Sequence, residues 1–546
     1  LASVRGAPGV TTTALLLASC GGDEAGPTDD AGAADVPEEE RYGGTAVIGA
    51  LSEVPTVNPL VTADYMSAQV QRWVLFAPLV RVDDDLTPRP HLARSWELSA
   101  DSSEIVFRIR GDVSWHDGEP VTADDVAFTF RRATDPDVGF PNRDYFDGWE
   151  EVEVVDDTTV RFTLRPTADA LFGWAQTPVV PEHVLGDVPP SELKGHPFGT
   201  SAPVGSGPFR FVERQAGDRW VFEANEDFPE ALGGRPYLDR LVIRIVPDAS
   251  TLAAELRRGE VHLAVQLPPR SVAGLEGTEG LRVETFPFPR YAFVGWNTRR
   301  SPFDDVRVRR ALTMALDRQQ ILDAAREGLG SVATGPLGPW HWAYDSAWAP
   351  LPHAADSARA LLEAAGWTDG DGDGVRERGG EELAFDLLTT SSPQTYEDVA
   401  VMAQADLDEV GVSASVRTME GAALAGTATD PGREFDAFLL SWQPDLSVDE
   451  RHFWACDRMD RPFQFSGWCD PGLDAIMDSV PMALPRDTRR DLLRRYHERV
   501  AEAQPFTFMF YEDGADGVRR ELRNVEPGPR GELVGVDRWW LLPGVR

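Results

Sequence analysis

The sequence predicts an α/β protein built from several structural units, and three observations carry that expectation. A chain of 546 residues is too long for one core when domains average ~150 residues. Apolar residues fall at every second position in Glu104-Ile105-Val106-Phe107-Arg108-Ile109-Arg110 and in Thr159-Val160-Arg161-Phe162-Thr163-Leu164-Arg165, the pattern of strands with one buried face. Later, a strand at 383–388, an amphipathic helix at 395–409 ended by Gly411, and a strand at 412–417 read as a βαβ unit, which implies parallel pairing.

Taken in order, residues 1–20 come first. Arg5 is the only charge before Cys20, and an apolar patch runs from Val10 to Ala18. This is the make-up of a short export signal, well under the ~18 apolar residues that cross a bilayer. Leu17-Ala18-Ser19-Cys20-Gly21 resembles a bacterial lipobox, so Cys20 is expected to carry lipid. Residues 21–40 are mainly Gly, Ala, Asp, Glu and Pro, the composition of a solvated acidic tether, and the folded body is expected to begin near Tyr42. Inside it, Thr122-Ala123-Asp124-Asp125 offers a hydroxyl cap with an acid three residues on, opening a helix through Val126, Phe130 and Ala133. Strands follow at 219–224 and 241–245, then a helix at 251–258. One helix is expected over 305–326 and another over 355–365, ended by Gly366. Further strands are expected at 435–440, 506–511 and around Trp539-Trp540-Leu541.

Composition excludes several functions. Apolar residues make up 42% and charged residues 26%, as in water-soluble globular proteins. With 52 basic against 90 acidic residues the net charge is −38, and such a surface repels nucleic-acid phosphates. Lys194 is the only lysine and follows Leu193, so there is no Walker A loop. Gly-x-Ser-x-Gly and His-Glu-x-x-His are also absent. Besides Cys20, the cysteines are Cys456 and Cys469. In an oxidising compartment two neighbours tend to pair, which would add roughly 3 kcal/mol on the loop-entropy model. The alternative is two buried free thiols.

Four phrases, in order, carry a family resemblance. They are Val113-Ser114-Trp115-His116-Asp117-Gly118-Glu119-Pro120-Val121-Thr122-Ala123-Asp124-Asp125-Val126-Ala127-Phe128, and Pro203-Val204-Gly205-Ser206-Gly207-Pro208-Phe209. Next come Asn297-Thr298 with Pro302-Phe303-Asp304-Asp305-Val306-Arg307-Val308-Arg309-Arg310-Ala311-Leu312, and Phe465-Ser466-Gly467-Trp468-Cys469-Asp470-Pro471-Gly472-Leu473-Asp474. Together they resemble the extracytoplasmic solute-binding proteins of peptide and nickel ABC transporters. The resemblance implies a two-lobed periplasmic-binding-protein (Venus flytrap) fold with an extra α+β domain in the first lobe. On that plan the first lobe comprises 41–60, 199–267 and 505–546, the extra domain 61–198, and the second lobe 268–504.

Ser441-Trp442-Gln443-Pro444-Asp445 is expected where a buried strand leaves the core, a common place for binding residues. Trp442-x-x-Asp445 is similar to a motif of peptide-binding relatives whose aspartate meets the peptide's amino terminus while the tryptophan walls a side-chain pocket. Leu446-Ser447-Val448-Asp449 differs from the Tyr-x-acid-Pro that continues that motif. Trp340, His341 and Trp342, in a loop of turn formers and aromatics at 335–344, are expected near the cleft, as is Tyr65. Asp369, Asp371 and Asp373 have EF-hand spacing, but Gly380 stands where glutamate would close the loop, so a structural turn is expected and no metal.

The function implied is a lipid-anchored solute-binding component of an ABC importer. It would be a monomer that captures peptides without a cofactor and hands them to permease subunits driven by ATPases. Another solute, such as a sugar, an opine-like compound or a nickel chelate, is the alternative. A secreted hydrolase is the minor one.

Overall fold

The computed structural model describes residues 36–167, 170–444, 446, 450–483 and 485–544. Glu38–Glu40 form a single 3-10 turn in a unit of its own, and the body begins at Arg41. Cys20 and Asp445 lie outside the described residues.

Among the described residues the largest sheet has eleven strands. Two long antiparallel strands, Leu281–Trp296 and Phe506–Arg519, run through its middle. Leu281 to Pro287 pair with Asp513 to Arg519, and Tyr291 to Gly295 pair with Phe506 to Tyr511. Between these runs the register shifts at Pro287 to Tyr291. Proline donates no ladder hydrogen bond, and Pro287-Phe288-Pro289 places two of them at the break.

On one side of the pair, Leu263–Ala264 joins Phe506–Arg519 to Thr45–Ala50, which pairs in parallel with Arg240–Ile245. Arg219–Ala224 and Phe209–Gln215 complete that flank with antiparallel pairing. On the other side, Ala437–Trp442 pairs antiparallel with Leu281–Trp296. Ala384–Thr390 and Ser413–Met419 then add in parallel. The βαβ unit is thus present, with Gln394–Asp408 as its crossover. Tyr396, Val399, Ala400, Ala403 and Leu407 of that helix are buried in the core, the one-sided stripe that its spacing encodes.

A separate four-stranded antiparallel sheet orders Ala93–Leu98, Glu104–Ile109, Thr159–Leu164 and Trp149–Asp156. The helix Ala123–Thr134 opens with a full capping box, in which the Asp125 carboxylate accepts from the Thr122 amide at 2.9 Å. Asp125 also accepts from Trp115 Nε1 at 3.1 Å and the Glu182 amide at 2.9 Å, so the cap ties three segments together.

Two expectations need correction. The expected helix over 305–326 is two, Val306–Ala315 and Arg318–Arg326. Leu316 turns extended, and Asp317 starts the second helix by accepting from the Gln320 amide at 3.0 Å. Ser441 and Trp442 lie within their strand and not beyond it, because Ala292 and Tyr291 of the central strand pair with them.

Candidate ligand site

A cavity of about 260 Å³ opens where segments distant in sequence meet. The helix Tyr65–Gln69, capped by Asp64 accepting from the Ser67 amide at 2.8 Å, sends Tyr65, Gln69 and, one turn on, Arg72 to its wall. Phe140, Tyr145 and Phe172 add an aromatic side, and Gln443, Pro444 and Leu446 face them. Its volume is a little below the ~300 Å³ lower bound for drug-sized ligand pockets.

Tyr65 is held by a buried polar cluster. Its hydroxyl donates to Glu532 Oε2 at 2.8 Å, Gln266 Nε2 donates to Glu532 Oε1 at 3.1 Å, and the Gln266 amide donates to Asp516 Oδ1 at 2.8 Å. Glu532 and Asp516 are fully buried. Burial raises both carboxyl pKa values, that of Asp516 also through the charge of Glu532, and burial and Glu532 together raise that of the Tyr65 hydroxyl. The Tyr65 ring meets Phe288 edge-on at 5.5 Å, and Arg290 lies 4.8 Å over Phe288. Arg290 and Arg326 flank Glu512 at 3.7 and 3.1 Å, and Tyr396 donates to it at 2.9 Å. These groups brace the central strands beside the cavity.

Of the residues singled out in the sequence, Tyr65 lines this cavity, and the segment around Asp445 reaches it through Gln443, Pro444 and Leu446. Trp442, next to Gln443, packs edge-on against Phe453 at 4.8 Å. Trp340, His341 and Trp342 are not on its wall. Trp340 is buried against the edge of Tyr511 at 5.2 Å. His341 is buried, its Nδ1 accepts from the Ala343 amide at 3.1 Å, and burial, aided by Arg489 and Arg486, lowers its pKa to about 3. Trp342 carries the guanidinium groups of Arg486, Arg489 and Arg490 at 4.5, 5.1 and 5.6 Å. These aromatics pin the loop to core and helix. Gly335 permits this, because a Cβ there would come within 2.7 Å of the His497 ring.

Cys456 and Cys469 are bonded, with Cα atoms 5.1 Å apart. Asp369 accepts from the Gly372 amide at 2.7 Å and the Gly374 amide at 3.2 Å, Asp371 from the Asp373 amide at 3.2 Å, and Asp373 from the Val375 amide at 2.8 Å, so all three exposed acids brace the turn. Sequence reasoning passed over Gln71, Arg72, Arg81, Thr177 and Arg530 near the cavity. For one of these a signal existed, since Tyr65, Gln69 and Arg72 stand at helical spacing.

The fold and cavity define a class: a two-lobed periplasmic-binding-protein fold with a solute-sized cavity. The model of the bacterial extracellular solute-binding proteins, family 5 (middle part), matches residues 87–459, and the chain belongs to that family. The oligopeptide-binding protein AppA of Bacillus subtilis is 28% identical over 532 residues, covering 97% of this chain and 96% of AppA. The solved structure of AppA in complex with a nonapeptide matches with a TM-score of 0.76, covering 92% of this chain and 99% of AppA. The substrate-binding protein CtaP of Listeria monocytogenes, 23% identical, shares the fold with a TM-score of 0.80, covering 92% of this chain and 99% of CtaP. Among the described residues no helix is long and apolar enough to cross a membrane.

Proposed function

We propose that this chain is the capture component of an ABC importer, binding short peptides in the cavity between Tyr65 and Gln443 and passing them to membrane permease subunits powered by ATPases. The observation that carries the reading is the cavity itself, walled by Tyr65 and by the Gln443, Pro444 and Leu446 that flank Asp445, in a chain alike over its length to a protein solved with a nonapeptide. Binding occurs without chemistry, and closure follows from the ligand's stronger contacts with the closed state. The lobe boundaries given above are part of the proposal. So is anchoring through Cys20. Replacing Cys20 by Ala should release the protein from the membrane fraction, and unchanged association and processing would refute the anchor.

Asp445 is assigned to the ligand's ammonium group. Removing one partner of a buried charge pair costs ~2–5 kcal/mol, roughly 30-fold to several thousand-fold in affinity. Asp445→Asn should therefore weaken peptides with free amino termini by that range and leave amino-acetylated peptides nearly unchanged, as read by calorimetric titration. Equal losses for both would remove Asp445 from the site. Mass spectrometry of ligands released from natively purified protein tests the substrate class: intact peptides support capture, a sugar, an opine-like compound or a metal chelate would redirect it, and shortened peptides after incubation would mean hydrolysis.

A further inference from the structure

Two fully buried carboxyls, Asp516 and Glu532, stand behind the cavity wall and are joined through one residue. Gln266 donates its side-chain amide to Glu532 Oε1 at 3.1 Å and its backbone amide to Asp516 Oδ1 at 2.8 Å, and the Tyr65 hydroxyl donates to Glu532 Oε2 at 2.8 Å. Both Glu532 oxygens thus accept, whereas Asp516 Oδ2 is buried without a hydrogen-bond partner. Among the described residues neither carboxyl has an ion-pair partner. The cations on the surrounding segments are engaged elsewhere, Arg282 with Glu284 at 2.5 Å, Arg290 with Glu512 at 3.7 Å, Arg530 with Asp84 and Arg72 with Gln176. Glu284 itself stands opposite Asp516 in the strand register and adds a further negative charge.

A carboxylate in a dry site needs donors, and two that share a site do not both ionise readily. Glu532, with donors on both oxygens, is the ionised member, and Asp516, with its open Oδ2, has room for a proton. Burial, then the charge of Glu532 and lastly that of Glu284, raise the Asp516 pKa, with the Gln266 amide opposing. The surroundings leave the pair little room to adjust. Gln266 holds a left-handed backbone at φ 55°, a strained conformation for a residue with a side chain. On the other side Gly531 abuts the helix Tyr65–Gln69 so closely that a Cβ there would lie 1.9 Å from Gln69 Oε1, and Gln69 Nε2 donates to Arg530 O at 3.3 Å. A shift of Glu532 away from Asp516 is therefore carried to Tyr65 through their hydrogen bond and to Gln69 through the backbone, and both residues line the cavity.

We propose that Asp516 is a positioning residue for Tyr65: it keeps one proton on the Asp516–Glu532 pair, and the cavity is competent to bind solute only while that proton is present. The inference rests on the reading of the cavity as the peptide site. When the proton leaves, two anions face each other across Gln266, Glu532 is pushed away, and Tyr65 loses its place on the wall. Capture is therefore strongest with the pair singly protonated and weakens as pH rises through the loss of that proton. Apparent affinity scales with the competent fraction, so beyond that point it falls about ten-fold per pH unit.

Titration calorimetry with the tripeptide Ala-Phe-Ala, from about pH 6 to about pH 10, compares the wild type with Asp516→Asn, which keeps the shape and an acceptor for the Gln266 amide but does not titrate. The peptide's own amino group titrates near ~8 and weakens binding to both proteins alike, so the ratio of the two dissociation constants reads the pair alone. Across that range the wild type should lose about ten-fold or more relative to the variant. Should Asp516→Asn melt much lower, infrared spectroscopy of the wild type takes its place: the acid-form carbonyl band of a buried carboxyl should be present at the low end of the range and fade where affinity falls. A ratio that does not change with pH, or the absence of that band, overturns the inference and leaves peptide capture standing. No binding of the tripeptide by the wild type at any pH overturns peptide capture and this inference together.

Discussion

His497 shows how a single buried group shapes the behaviour of the protein. Its ring stacks on Trp348 at 3.7 Å, and its Nδ1 accepts from the Leu337 amide at 3.3 Å, a bond that requires the nitrogen to stay unprotonated. Burial lowers its pKa to about 3, against ~6.5 in an unfolded chain. Between those values the unfolded chain takes up a proton that the folded chain refuses, so stability is full above about pH 6.5 and falls as pH drops. At ~1.4 kcal/mol per pH unit, the loss from this one residue reaches about 2 kcal/mol at pH 5. His497→Gln retains an acceptor for Leu337 and removes the titration. Urea unfolding at pH 7.5 and pH 5 should therefore show the wild type losing about 2 kcal/mol more than the variant, and parallel losses would contradict the assignment. At this scale the sequence was only partly legible. Tyr65 and the residues Gln443, Pro444 and Leu446 beside Asp445 do line the cavity. Trp340, His341 and Trp342 lie off that wall, since a loop rich in glycine and aromatics looks alike whether its rings face a ligand or the core. Only the backbone's approach to His497 at Gly335 decides, and that approach joins residues 162 positions apart.

Elements with a strong local signal formed where the sequence placed them. The strands Glu104–Ile109 and Thr159–Leu164 pair directly, and the alternation that marks them also sets which face is buried. The Ala123–Thr134 helix starts at the capping box read from Thr122 and Asp125. Boundaries failed where a tertiary partner overrode the local pattern. Asp317 sat inside an apparently continuous helix over 305–326, yet its amide donates to Asp406 Oδ2 at 2.8 Å. That bond to a helix 89 residues away fixes the break between the two helices. The strand ending in Trp442 runs two residues past its apolar stretch because the partner strand continues beside it.

Across the whole molecule, the two long strands Leu281–Trp296 and Phe506–Arg519 run through the middle of the large sheet, and their pairing carries a register break between Pro287 and Tyr291. The pairing of Thr45–Ala50 with both Arg240–Ile245 and Leu263–Ala264 supports the proposed discontinuous first lobe. If 61–198 and 268–504 rotate as separate bodies, a contact between them away from the cavity must bias closure. Arg486 makes one: its guanidinium bonds to Thr87 Oγ1 and Asp85 O, sits 3.2 Å from the Asp85 carboxylate, and stacks on Trp342. On that plan the contact would favour the closed arrangement whatever the solute, so its loss would subtract the same free energy from every ligand. An exposed pair contributes under ~1 kcal/mol, but this one adds two further hydrogen bonds, to Thr87 Oγ1 and Asp85 O. Arg486→Ala should therefore weaken all bound peptides by a similar factor, about three- to ten-fold, and increase the radius of gyration of the ligand-free protein in small-angle scattering. An Arg486→Ala protein with unchanged affinities and unchanged scattering would show that the two segments do not part when the cavity opens.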